Sequence, residues 1–130
     1  MNYLLDTQIF LWWVAADRRL QKTLRELIAD PTNRIWLSAA SAWEMEIKSA
    51  LGRLTIPNDL EQQLAGNGIE ALPIYLRHVQ TLRGLPSIHG DPFDRILVAQ
   101  SIADALVLVT ADPVVASYPC RTVTNFGRRR

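Results

Sequence analysis

The chain has 130 residues, 48% of them apolar and 21% charged, a length that fits one domain with a sizeable core and needs no metal or disulfide to fold. Its formal charge of +1 argues against a protein that coats nucleic acid nonspecifically, although Lys22 and Lys48 are the only lysines and every other basic residue is an arginine, whose planar fork suits phosphate and carboxylate partners. Cys120 is the sole cysteine, which excludes an intrachain disulfide and a cysteine-built zinc cluster.

Asn2 to Leu5 reads as a short buried strand, and Thr7 to Ala16 as a helix carrying Ile9, Phe10, Trp13 and Val14 on its apolar side. Asp6 interrupts this apolar stretch and no basic region precedes it, so it is neither a signal peptide nor a membrane span, and a soluble cytoplasmic protein is expected. Leu20 to Ala29 predicts a second helix, closed by Asp30 and Pro31. Arg34 to Leu37 is strand-like, and Ser38 caps a helix that reaches about Leu51 before Gly52. After Pro57, Asn58 is expected to cap a short helix, Ile69 to Leu72 to form a strand, and Leu76 to Leu82 to form a helix. A loop from Gly84 to Gly90 leads to Asp91-Pro92 and a strong helix through Phe93, Ile96, Leu97, Ala99 and Ala103. Ala105 to Val109 is a fully apolar strand, Asp112-Pro113 starts a helical turn, and Arg121 to Thr124 is a last strand. This alternation calls for a mostly parallel sheet of about five strands with helices on both faces, spanning residues 1–130 as one domain.

Four acids, Asp6, Glu44, Asp94 and Asp112, fall where a strand ends or a helix begins. In an open parallel sheet those places converge on one crevice, so acids remote in sequence can share a divalent ion. Each also has a plainer explanation. Asp6 and Asp112 can cap helices, Asp91 before Pro92 repeats the same grammar, and Asp94 lies in a first turn where the helix dipole favours a carboxylate. Glu44 precedes Lys48 by four residues, the order of an exposed helix pair. Trp43, Ile47 and Ala50 define an apolar face that Glu44 and Glu46 flank at similar angles, and periodicity does not choose between the two glutamates.

The segment from Ser38 through Trp43-Glu44 to Ile47-Lys48 resembles the second motif of PIN-domain nucleases. Leu4-Leu5-Asp6-Thr7 is similar to the first motif, His89-Gly90-Asp91-Pro92-Phe93-Asp94-Arg95 with Ala99-Gln100 to the third, and Val109-Thr110-Ala111-Asp112 to the fourth. Together they cover almost the whole chain and resemble most the VapC-type toxins of toxin-antitoxin modules. The resemblance implies a PIN-like three-layer fold and an endoribonuclease dependent on Mg²⁺ or Mn²⁺. It makes Asp6, Glu44 and Asp94 the core acids and Asp112 the fourth, with Thr7 and Thr110 as supporting hydroxyls and Asp91 mainly a cap. It further implies a VapB-type antitoxin whose tail occupies the groove, an RNA substrate, a homodimer and no membrane. Arg95 reads either as a phosphate contact or as a clamp on Asp91 or Asp94.

The remaining candidates read as structural. Trp12, Trp13, Trp36 and Trp43 are spaced as core residues, His78 sits on a predicted helix surface, His89 lies in a loop, and Cys120 is a small buried residue. Arg128, Arg129 and Arg130 form a basic tail, and the segment from Leu51 to Leu72 is either core or an antitoxin-facing clip. A receiver-type phosphoacceptor needs a lysine at a late strand end, and none follows Lys48. A haloacid-dehalogenase-like enzyme needs an Asp where Gln8 stands. The alternative left is a noncatalytic PIN-fold module whose acidic groove binds a basic partner peptide.

Overall fold

Adjacent residues of a strand point to opposite faces of its sheet, so the pair Leu4-Leu5 requires apolar cover on both sides of the first strand. The computed structural model, which describes residues 1–56, 58–88 and 90–125, supplies it. The expectations placed on Pro57, His89, Arg128, Arg129 and Arg130 lie outside the described residues. The strands are β1 (Asn2–Leu5), β2 (Arg34–Ser38), β3 (Ile69–Leu72), β4 (Val107–Thr110) and β5 (Thr122–Thr124), joined in one sheet of order β3-β2-β1-β4-β5 in which every pairing is parallel.

The helices are α1 (Thr7–Val14), α2 (Lys22–Ala29), α3 (Ala39–Ala50), α4 (Leu60–Gly66), α5 (Leu76–Thr81), α6 (Pro92–Ala103) and α7 (Pro113–Ala116), with a 3₁₀ turn at Leu82–Gly84. On one face Leu5, Ile35, Leu37, Ile69 and Val109 pack against Ile9 and Phe10 of α1, Leu24 and Ile28 of α2 and Leu64 of α4. On the other, Leu4, Leu72 and Leu108 pack against Ile96, Leu97 and Ala99 of α6 and Val115 of α7. The result is the three-layer α/β arrangement expected. No described helix is long and apolar enough to cross a membrane.

Several details differ from the periodicity reading. The short fourth helix is capped by Asp59, whose side chain accepts from Gln62 N, and not by Asn58. Strand β4 starts two residues later than expected because Ala105 turns the chain with a φ of 54°, letting Leu106 N reach back to Ser101 O. His78 is fully buried and not on a helix surface: its Nδ1 accepts from Tyr75 N, and its Nε2 lies 2.9 Å from Asp104 Oδ2. A carboxylate 26 residues away satisfies the ring. Trp43 is 61% exposed, so it is no core residue. In α3 the buried side is Ala40, Ser41, Glu44 and Met45, while Trp43 and Ile47 face outward. The Leu51 to Leu72 segment gives Leu64, Ile69 and Leu72 to the core, and Leu54, Ile56 and Leu60 pack against the cluster holding Leu64 and Ile69, while many of its other residues are exposed.

Candidate active site

The chain runs outward from β1 through β2 to β3, then returns across the sheet to β4 on the other side of β1. The connections therefore part company between β1 and β4, and a crevice opens there at the strands' carboxyl ends. Asp6 directly follows β1 and Asp112 lies two residues beyond β4. The helix after β2 carries Glu44, and α6, which feeds β4, carries Asp94 in its first turn. All four acids line one cleft of about 440 Å³, together with Thr7, Gln8, Leu11, Lys48, Asp91, Ala111 and Pro113.

Asp6 is the most constrained. It caps α1, its Oδ1 accepting from Ile9 N at 2.9 Å, while its Oδ2 accepts from the Thr110 hydroxyl at 2.5 Å. Burial nevertheless dominates, raising its pKa from 3.8 to about 6. Hydrogen bonds from Thr110, Ile9 and Ala111 pull it down, and the negative charge of Asp112 adds a smaller upward push. Thr110 thus has two partners, since its oxygen also accepts from Asp112 N at 3.0 Å, linking the acids that end β1 and β4.

Glu44 is the buried glutamate of α3 and Glu46 the exposed one, which resolves what periodicity left open. The Thr7 hydroxyl donates to Glu44 Oε1 at 2.6 Å and stands 2.9 Å from Ser41 Oγ. The other carboxylate oxygen, Oε2, lies 3.0 Å from Lys48 Nζ. Asp91 and Asp112 are N-caps with proline at the first helical position, as their sequence grammar predicts: Asp91 Oδ1 accepts from Phe93 N and Asp94 N, and Asp112 Oδ1 from Val114 N. Capping does not remove either from the cleft, because a capping carboxylate keeps lone pairs free. Asp91 is thus both a cap and part of the cleft wall.

Arg95 follows Asp94 in α6. Its guanidinium donates to Pro86 O at 2.9 Å and to the Tyr118 hydroxyl at 3.1 Å, and it is not among the cleft's lining residues. Lys48 and Gln8 also line the cleft, and Ser41 stands against Thr7, roles that the sequence pattern does not assign to them. The signal available was helical spacing from Glu44, which places Ser41 and Lys48 one turn to either side of it.

The donors are carboxylate oxygens, the hard ligands that Mg²⁺ and Mn²⁺ take, and the buried charge on Asp6 is one that a cation offsets. Among the described residues no three His, Cys, Asp or Glu side chains stand close enough to grip one ion directly. Hard oxygen donors of this kind suit an ion that keeps several of its own waters, as Mg²⁺ does.

A parallel sheet with carboxylates gathered at its switch point defines an α/β protein with an acid-lined cleft. The chain belongs to the PIN-domain family, whose model matches residues 3–119. Among solved structures it is similar to VapBC2 from Rickettsia felis bound to a promoter DNA fragment, at 17% identity and a TM-score of 0.72, over 95% of this chain and 98% of that one. A toxin-antitoxin complex from Klebsiella pneumoniae matches at 20% identity and a TM-score of 0.65, over 95% and 97% of the two chains. VapBC-1 from nontypeable Haemophilus influenzae matches at 17% identity and a TM-score of 0.60, over 96% and 98%. At these identities the likeness is one of fold. No curated protein matches the chain.

Proposed function

We propose that this protein is an endoribonuclease that depends on Mg²⁺ or Mn²⁺ and serves as the VapC-type toxin of a type II toxin-antitoxin pair. The observation that carries the reading is the gathering of Asp6, Glu44, Asp94 and Asp112, from four separated segments, around one cleft of a PIN fold. A bound divalent ion would acidify a water and neutralise charge building on phosphorus. Asp6 and Asp94 would hold it, Glu44 would act as a ligand or as the base toward water, and Asp112 would reach a second ion or act through water. Thr7 fixes the Glu44 carboxylate and Thr110 that of Asp6, so both carboxylates are aimed before substrate arrives. Water attacks phosphorus, the bond to the 3′ oxygen breaks, and the products carry a 3′-hydroxyl and a 5′-phosphate.

The surfaces around the cleft support a reading of the partners. Gln8 and Leu11 are shared with a second groove of about 560 Å³ lined by Trp12, Val14, Leu54 and Ile56. An antitoxin tail with apolar side chains in this groove and a basic one among the acids fits the pair. On the opposite flank of α3, Trp43, Ile47 and Leu51 form a row of exposed apolar residues one turn apart. One side of Trp43 also walls an apolar pocket of about 250 Å³ with Ile74, Val79, Phe93 and Ile96. A knob and a hole on one surface are what a two-fold contact needs, since each copy offers both, and we assign this face to the homodimer. Trp43→Glu is expected to convert the dimer to monomer in sedimentation at micromolar concentration; an unchanged dimer would move the interface elsewhere.

The function is tested with purified, antitoxin-free protein and a labelled pool of structured RNAs, in Mg²⁺ or Mn²⁺ against excess chelator. Metal-dependent fragments bearing 5′-phosphates are expected. Fragments ending in a 2′,3′-cyclic phosphate would sink the water mechanism. Absence of cleavage in either metal, with a basic peptide still retained, would transfer the assignment to a noncatalytic module.

A further inference from the structure

Lys48 is the only cation among the cleft's described lining residues, where it faces Asp6, Glu44, Asp91, Asp94 and Asp112. It lies in the last turn of α3, its side chain is 47% exposed, and its ammonium is held to Glu44 Oε2 at 3.0 Å, whereas the glutamate is only 11% exposed. The two ends of this contact are therefore unequal. Glu44 is fixed from behind by Thr7, which donates to the other carboxylate oxygen, so it stays in place when the ammonium leaves. Lys48 sits on a flexible four-carbon stem with solvent around it, and a half-exposed pair of this kind is easily exchanged for another partner.

A phosphodiester entering the cleft meets a wall of carboxylates, and Arg95, the residue after Asp94, is committed elsewhere: it donates to Pro86 O and the Tyr118 hydroxyl. Among the described residues lining the cleft, Lys48 alone is placed to offset the repulsion from the protein's own side. Building on the nuclease reading, we propose that Lys48 is the residue that contacts the substrate phosphate, its ammonium passing from Glu44 to a nonbridging oxygen as RNA enters. The exchange frees Glu44 Oε2 at the same moment, so substrate entry and exposure of that oxygen are one event. In the resting protein the ammonium is a placeholder for the positive charge the site needs. A compact ammonium on a mobile stem suits such an exchange better than a guanidinium, whose bidentate fork would hold Glu44 more rigidly.

The test uses the full chain and a fluorescein-labelled oligouridylate, with Ca²⁺ replacing Mg²⁺ or Mn²⁺ so that binding is read without turnover. Lys48→Met is expected to weaken RNA binding about tenfold. It should also flatten the dependence of log affinity on log salt by about 0.7, the effect of losing one phosphate contact on a single strand. Lys48→Arg should restore the salt slope. Thermal melts of both variants establish that they fold, and the contact is tolerant of loss because the side chain is half exposed. Were Lys48 merely a support for Glu44, Lys48→Met would change turnover in Mn²⁺ while leaving RNA affinity and the salt slope as in the parent, and that result overturns the proposal. Failure of the parent to cleave RNA in Mn²⁺ removes the nuclease reading itself; failure of the parent to bind RNA removes the proposal with it. Cleavage by the parent together with unaltered binding by Lys48→Met removes the proposal alone.

Discussion

Asp6→Asn is expected to lower RNA cleavage roughly a hundred- to a thousandfold, the scale of losing a directly held metal or a transition-state charge contact, while making the metal-free protein more stable. The opposed directions come from one cause. Folding raises the Asp6 pKa from 3.8 to about 6, chiefly through burial. The folded state therefore favours the protonated carboxyl. That contribution is complete below about pH 4 and is lost as pH rises through 6, at roughly 1.4 kcal/mol per pH unit. Above pH 6 the wild-type protein carries a buried charge costing about 3 kcal/mol, and asparagine has no such charge to bury. Asparagine also keeps the cap, accepting from Ile9 N, and can donate its amide to Thr110 Oγ1. Ala111 N, which also bonds Asp6, loses strength in its acceptor, leaving a net gain of about 1 to 2 kcal/mol. Urea melts in chelator at about pH 8 and pH 5 measure this, and the gain should vanish at the lower pH. A variant destabilised at both pH values with cleavage intact would make Asp6 a helix cap and nothing more.

Divalent cation binding should be strongly linked to protons. Below about pH 6 an ion that uses Asp6 must displace its proton, so apparent Mn²⁺ affinity is expected to fall about tenfold for each pH unit. Above pH 6 the dependence from this group levels off. Calorimetric titration in buffers of different ionisation heat should show close to one proton released per ion near pH 5 and almost none near pH 8. The stabilisation that Mn²⁺ confers should grow with pH over the same window, just where the metal-free protein weakens. Affinity independent of pH between 5 and 8 would remove Asp6 from the ligand set whatever the cleavage assays show.

How far these residues could be read in advance depended on what each local pattern reports. The bounds of β1 and β3, and the caps Ser38, Asp91 and Asp112, follow from nearest-neighbour grammar, and the structure has them as expected. The gathering of the four acids followed from topology, because carboxyl ends of parallel strands share an edge. What failed was the inference from an apolar stripe to a buried one. Trp43 and Ile47 recur at helical spacing, yet α6 and the sheet pack against the side of α3 bearing Ala40, Ser41, Glu44 and Met45, where small residues allow close approach. Periodicity shows that a helix has faces; it does not show which one meets the core. His78 failed for a related reason, since its burial depends on Asp104 and Tyr75, partners that hydropathy does not represent. Arg95 is tied to Pro86 and Tyr118, and only the folded chain brings those together.

The position of β1 at the centre of the sheet has a consequence for the order in which the protein comes into being. The hydroxyl that binds the Asp6 carboxylate, on Thr110, lies 104 residues further along the chain, and β1 pairs on that side with β4. Until β4 has been made, one edge of β1 is open and the wall carrying Asp112 does not exist. Contacts of such long sequence separation close late in folding. A nascent chain that has not yet reached β4 and Asp112 therefore holds no assembled cleft, and the four acids meet only once that whole span has been translated.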